Sequence, residues 1–137
     1  MHNSYSYPKE LLSEYKNEIQ DFDKNLPKEI KKCSNYILEN LFEEFLTISE
    51  VKSACNINGK FPSRFSVYTG FTPQQFITYH RIEASKILLK KTNLNISQIS
   101  ALVGYSSHSA YCKTFKNNNE GVIPSVWREK NSGKNSG

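Results

Sequence analysis

The second half of the chain states one short pattern twice. Thr47-Ile48-Ser49-Glu50-Val51 and Asn95-Ile96-Ser97-Gln98-Ile99 open two segments, which close on Gly70-Phe71-Thr72-Pro73 and Gly121-Val122-Ile123-Pro124. Matching anchors lie 48 residues apart at Ile48/Ile96, 50 at Phe65/Phe115 and 51 at Pro73/Pro124, so the second copy carries a few extra residues. Phe76 and Trp127 occupy the same place after each proline. A repeat of this period is one supersecondary unit used twice. A chain of 137 residues then has room for one modest core, or for two small subdomains sharing a long element, and a large enzyme is excluded.

Charge is divided along the same line. Residues 1–46 hold six Lys and nine Asp or Glu, a net of −3, whereas residues 47–137 hold twelve Lys or Arg and four acids, a net of +8. Positive charge concentrated on the repeated part suits a polyanionic partner, because Lys and Arg that neutralise phosphates release counterions. Two copies of a small basic unit suggest two reading heads for one long charged polymer. Cys33, Cys55 and Cys112 contain no close pair, which indicates neither a disulfide framework nor a zinc site and fits a reducing, cytoplasmic setting. No apolar run approaches the roughly 18 residues needed to cross a bilayer, and the first residues lack an apolar signal core, so no membrane association is expected.

Hydrophobic spacing is helical throughout. Residues 1–8 and 131–137 are polar and read as disordered ends. Residues 9–27 form an acidic amphipathic helix and linker, with Leu11, Leu12, Tyr15, Ile19 and Phe22 on one face, which either docks on the domain or dimerises. Pro27 begins a first core helix with Ile30, Cys33, Tyr36, Ile37, Leu41, Phe42 and Phe45 on its stripe and a solvated opposite face. Thr47-x-x-Glu50, Thr72-x-x-Gln75 and Asn95-x-x-Gln98 each place an N-cap oxygen three residues before a Glu or Gln, the reciprocal capping pattern. The middle one opens a long helix from Pro73 to about Lys91 whose apolar residues spread over more than one face, as a bridge between two subdomains requires.

Within the second copy, a helix from Ile96 to about Val103 stops at Gly104, and Ser106 or Ser107 caps the next, which runs to about Lys116. Ile99, Leu102, Tyr105, Tyr111 and Phe115 pack the pair, leaving Ser107, His108, Ser109, Cys112 and Lys113 facing outward. That is helix, glycine turn, helix. In such a motif the second helix lies in the major groove with its first residues at base edges.

The ordered series Arg81-Ile82-Glu83-Ala84-Ser85-Lys86-Ile87-Leu88-Leu89, Asn95-Ile96-Ser97-Gln98-Ile99-Ser100, Gly104-Tyr105-Ser106, Phe115-Lys116 and Gly121-Val122-Ile123-Pro124-Ser125-Val126-Trp127-Arg128 closely resembles the signature of the AraC/XylS family of transcription regulators. The resemblance covers about residues 30–130. It implies an all-α fold, with two helix-turn-helix subdomains at 28–72 and 92–130 joined by a linker helix at 73–91. Together these make a DNA-binding domain at 28–130, behind the extra N-terminal helix. It also implies a sequence-specific regulator that inserts two recognition helices into successive major-groove segments of double-stranded promoter DNA, with RNA polymerase as a further partner. It implies Ser107, His108, Ser109, Cys112 and Lys113 as the DNA contacts of the second head; Lys116, on the same helix, is a further phosphate or base candidate, and Lys60, Ser63 and Arg64 are the candidates to face DNA in the first.

Departures from the family pattern are local. The first copy is about one residue short between Val51 and Phe65 and puts Pro62 inside the expected recognition helix at Gly59 to Thr69, so that helix either begins near Phe61 or is distorted there. Ala110 stands where a larger residue is usual, and Asn117-Asn118-Asn119-Glu120 is one residue long. Arg81 either pairs with an acid in the fold or approaches a phosphate. Thr47 and Asn95 cap helix ends that could point at phosphates.

No phosphate loop, metal-ligand cluster or triad appears around His2, His80 and His108, so no enzyme activity, cofactor or metal is expected. The competing reading is a degenerate helix-turn-helix domain that serves as a protein-interaction module. Residues 1–30 are too short to be a sensor domain, so no small-molecule ligand is expected within this chain. The chain is then either a stand-alone regulator or the output domain of a longer one.

Overall fold

The computed structural model describes residues 6–22, 25–55 and 60–131, and all regular structure among them is helical. Eight helices follow in chain order: α1 (Ser6–Phe22), α2 (Lys28–Glu39), α3 (Ile48–Cys55), α4 (Phe61–Thr69), α5 (Pro73–Lys91), α6 (Ile96–Leu102), α7 (His108–Asn117) and α8 (Pro124–Asn131). Helix α1 opens at Ser6, so residues 6–8, expected to be disordered, are helical, and Pro8 is buried. Asn131, placed in the tail by its composition, still belongs to α8, and residues 132–137 lie outside the described part.

Two cores form, and α5 belongs to both. The first gathers Ile30, Cys33, Ile37, Leu38 and Leu41 with Leu46, Val51, Phe61 and Phe65, and α5 adds Phe76 and Ile77. The second gathers Ile99, Val103, Tyr111 and Phe115, to which α5 adds Ile82, Ala84, Leu88 and Leu89. The apolar face of α5 therefore turns along its length, which is why its sequence shows no single stripe. The repeat survives as geometry. Phe65 meets Phe76 edge-on at 5.4 Å and 82° in the first unit, and Phe115 meets Trp127 at 6.1 Å and 74° in the second.

Caps set the helix starts. Thr72 Oγ1 accepts from the Gln75 N–H at 3.2 Å while Gln75 Oε1 accepts from the Thr72 N–H at 2.9 Å, and Asn95 and Gln98 repeat the exchange at 2.8 and 2.9 Å. Thr47 Oγ1 accepts from the Glu50 N–H at 3.2 Å. Helix α2 ends earlier than its periodicity suggests, at Glu39, and Phe45 is 52% exposed instead of joining the core stripe. The cause lies in α5. The Arg81 guanidinium donates through Nε to the Leu41 carbonyl at 2.7 Å and through Nη2 to the Glu43 carbonyl at 2.8 Å, holding that connection out of helix. Arg81 thus meets neither an acid nor open solvent: it is 7% exposed, and its other face lies over the Tyr105 ring at 5.4 Å.

The N-terminal helix docks on its own domain. Leu11 and Leu12 enter the second core, Ile19 packs against the first, and the Tyr15 hydroxyl lies 2.8 Å from His80 Nδ1 on α5. The side chain of Phe22, expected on the same face, lies outside the described residues. Burial pushes His80 down to about 4, so it is neutral at pH 7.

Two outcomes are expected. Gly104 adopts φ +103, and a Cβ there would stand 2.8 Å from Arg81 Cζ, whereas Gly70 at φ +84 opens onto free space. Gly104→Ala should cost more than Gly70→Ala by at least about 1 kcal/mol in urea unfolding, since both incur backbone strain but only one displaces an anchored guanidinium. Stability should be fully present above pH 6.5 and should fall as pH drops toward 4, because the unfolded chain takes up a proton that folded His80 resists. The loss is on the order of 3 kcal/mol, and His80→Gln should flatten that part of the pH profile.

Candidate nucleic-acid interface

Each unit ends in a helix that turns one face to the core and one to solvent. In the second unit, the chain leaves α6 through Gly104, and Ser107 closes the turn: its Oγ accepts from the Ala110 N–H at 3.1 Å and its carbonyl accepts from the Ser100 hydroxyl at 3.1 Å. Tyr111 and Phe115 point inward and are fully buried, so residues three and four apart on the opposite side of α7 must face out. Ser107, His108, Ser109, Lys113 and Lys116 are exposed, as the sequence suggests. Lys113 and Lys116 have no ion pair among the described residues, which leaves their charge available to an anion.

Cys112 departs from this set. It is half-buried against the second core, and desolvation raises its thiol above the ordinary range, so it is a poor thiolate as well as a partial member of the outer face. Cys33 is fully buried and raised in the same way, with Cys55 beside it. After α7 the chain turns through two left-handed residues, Glu120 at φ 56 and Gly121 at φ 84. Ala110 is half-buried at the first turn.

In the first unit, α4 begins at Phe61, so Pro62 falls in the first turn, where its missing N–H removes no intrahelical bond. The proline shortens the helix without distorting it. Gly59, expected at its start, lies outside the described residues. Phe61 and Phe65 anchor α4 in the first core, while Lys60, Ser63, Arg64 and Val67 form its exposed side, with Val67 79% exposed. Arg64 is not a free cation. Its Nη1 donates to Glu29 Oε2 in the first turn of α2, and the guanidinium holds the Glu29 carboxyl below the usual carboxylate range. The sequence reading treated the outer face of α2 as merely solvated and so missed Glu29. A contact 35 residues distant leaves no periodic trace, and only knowledge of how α2 lies beside α4 exposes it.

The capping oxygens of Thr47 and Asn95 are occupied by their own helices' N–H groups. Among the described residues no group of three or more His, Cys, Asp or Glu could hold a metal ion, and no helix is long and apolar enough to cross a membrane.

Two three-sided units, each presenting one basic or polar helix from a glycine or proline turn, on either end of a shared helix, constitute a double helix-turn-helix DNA-binding domain. The family described as a helix-turn-helix domain matches residues 59–130, more than half of the chain, and the chain belongs to that family, in its AraC/XylS type. Among curated relatives, the HTH-type transcriptional regulator AlkR of Acinetobacter baylyi is 39% identical over 62 residues, which cover 45% of this chain and 20% of that protein. The HTH-type transcriptional regulator MtrA of Neisseria gonorrhoeae is 27% identical over 93 residues, covering 67% and 31%. The chain thus spans a fifth to a third of the length of these two regulators.

Solved structures with the same fold include the C-terminal domain of AraT, a response regulator from Geobacillus stearothermophilus. It has a TM-score of 0.71 at 24% identity and covers 78% of this chain and 88% of that one. The DNA-binding domain of AdpA, a global transcriptional factor solved in complex with a target DNA, has a TM-score of 0.69 at 20% identity and covers 80% and 97%.

Because the Ser107 hydroxyl serves the α7 N-terminus, Ser107→Ala should cost about 1 kcal/mol of stability in denaturant unfolding. The neighbouring exposed change Ser109→Ala should be nearly silent in the same measurement.

Proposed function

We propose that this domain binds double-stranded promoter DNA in a sequence-specific way, with α7 lying in one major-groove segment and α4 in the next, and so regulates transcription. The observation that carries the reading is the outer face of α7. Ser107, His108 and Ser109 stand exposed at the N-terminal turn, and Lys113 and Lys116 follow one and two turns along, exposed and turned away from Tyr111 and Phe115. Short polar side chains at the helix start suit base edges, and lysines further along suit phosphates. The same fold occurs in a domain solved in complex with a target DNA, which supports DNA as the partner.

The first head contributes Lys60, Ser63 and Arg64 with a shorter helix, and Cys112 packs at the edge of the second. The unit of function runs over residues 28–130, with subdomains 28–72 and 92–130 on the linker helix 73–91 and with α1 as a brace laid across both. RNA polymerase is the natural protein partner of a promoter-bound regulator, and the work is done in the cytoplasm, where bacterial promoters are.

Selection of sites from random duplex DNA should return one defined sequence with two half-sites about one helical turn apart. Affinity for it should fall steeply with salt. Lys113→Ala should weaken binding to all sequences and reduce the slope of log affinity against log salt by about 1, with the melting temperature unchanged. A flat salt response together with capture of a protein partner would instead mark the domain as an interaction module.

A further inference from the structure

The first reading helix carries a feature that the second lacks. Arg64 lies midway along the exposed side of α4, one turn beyond Lys60, and it is tied through Nη1 to Glu29 of α2. The side chains remain 45% and 57% exposed, so the pair sits at the rim of the surface that α4 presents. Phe65 and Phe115 correspond in the repeat, which puts Thr114 where Arg64 stands, and Thr114 is half-buried. Lys113 and Lys116 of α7 are not held by any acid among the described residues.

From this asymmetry we infer that Glu29 is a positioning residue which holds Arg64 in the orientation that reads a guanine, making the pair a specificity element of the first helix-turn-helix. The inference rests on the DNA-binding function proposed above. A guanidinium offers five N–H donors in a rigid planar fork, and the contact with Glu29 uses only Nη1. The Nε and Nη2 edge takes no part in that contact. Two parallel donors on such an edge match the O6 and N7 acceptors that guanine alone presents together in the major groove.

A loose arginine on the same helix would behave differently. With several rotatable bonds it could settle on a phosphate of either strand, and it would lose rotamer freedom on binding any base. The carboxylate changes both terms. It orders the fork before DNA arrives, and it cancels the net charge that would otherwise draw Arg64 to the backbone. A carboxylate close to a phosphate backbone is unfavourable on its own. It is tolerated here because it is paired, because it lies in the first turn of α2, and because Lys28, Lys31 and Lys32 of the same helix are exposed and add positive charge to it. Those lysines supply the sequence-blind attraction, which leaves the Arg64–Glu29 pair to discriminate.

The full chain and its Glu29→Ala and Arg64→Gln variants should each be put through site selection from random duplex DNA. Binding should then be measured on the selected site, on random DNA, and on sites altered at single guanines. The wild type should show one first-half-site guanine whose replacement by adenine or by 7-deazaguanine weakens binding about tenfold, while inosine, which keeps O6 and N7, is tolerated. In Glu29→Ala that discrimination should shrink to the level of Arg64→Gln, while binding to random DNA stays equal or becomes tighter and the thermal melt is unchanged. The inference is overturned if Glu29→Ala keeps the wild-type preference at every guanine, including the case in which it tightens all DNAs by one common factor. A wild type that selects no sequence at all would sink the DNA-reading function itself, a result distinguishable from failure of the Glu29 role alone.

Discussion

The arrangement of the whole domain turns on the buried guanidinium of Arg81. Removing a permanent cation from water is costly unless its donors are met, and Arg81 meets them with the Leu41 and Glu43 carbonyls, both in the connection between α2 and α3 of the first unit. Its flat face rests on Tyr105, and it lies so close to Gly104 that a methyl group there would strike it; both residues belong to the turn of the second unit. One side chain from the shared helix therefore sets the turn of one unit and the entry loop of the other. Arg128 performs a smaller version of this task, donating to the Leu89 and Thr92 carbonyls where α5 ends.

Much of this was legible before any coordinates. Capping pairs are local, so Thr72 with Gln75 and Asn95 with Gln98 announced their helices within four residues of sequence, and α5 runs from Pro73 to Lys91 where its signals placed it. Core residues of the second unit were equally plain, because Ile99, Tyr111 and Phe115 recur at helical spacing. What escaped were contacts between distant segments. Arg81 looked like a partner for an acid or a phosphate, since nothing in sequence reveals two backbone carbonyls 38 and 40 residues away. Phe45 looked like core until the Arg81 bonds ended α2 six residues before it. At the reading face, exposure followed from periodicity, whereas the tether on Arg64 and the partial burial of Cys112 depend on how helices lie against one another.

The two units, similar in backbone, are dissimilar in how they hold charge. The second offers lysines on an uncovered helix face behind a serine-capped turn. The first offers a shorter helix opened by Pro62, with its arginine tied to a neighbouring helix. The two units share a frame and differ in residues that the frame leaves pointing outward. Helix α1 adds a brace to this pair: Leu11 and Leu12 sit in one core, Ile19 lies against the other, and Tyr15 meets His80 between them.

The shared helix also acts as a ruler. Nineteen residues at about 1.5 Å each give a rod of roughly 28 Å, comparable with the roughly 34 Å pitch of duplex DNA. Because α5 sends side chains into both cores, a single inserted residue would lengthen the rod only slightly but would turn one unit by about 100° relative to the other. On the proposed function, residues on the two outward faces can change without altering this rod, and the spacing between the two half-sites is set by a helix that need touch no base.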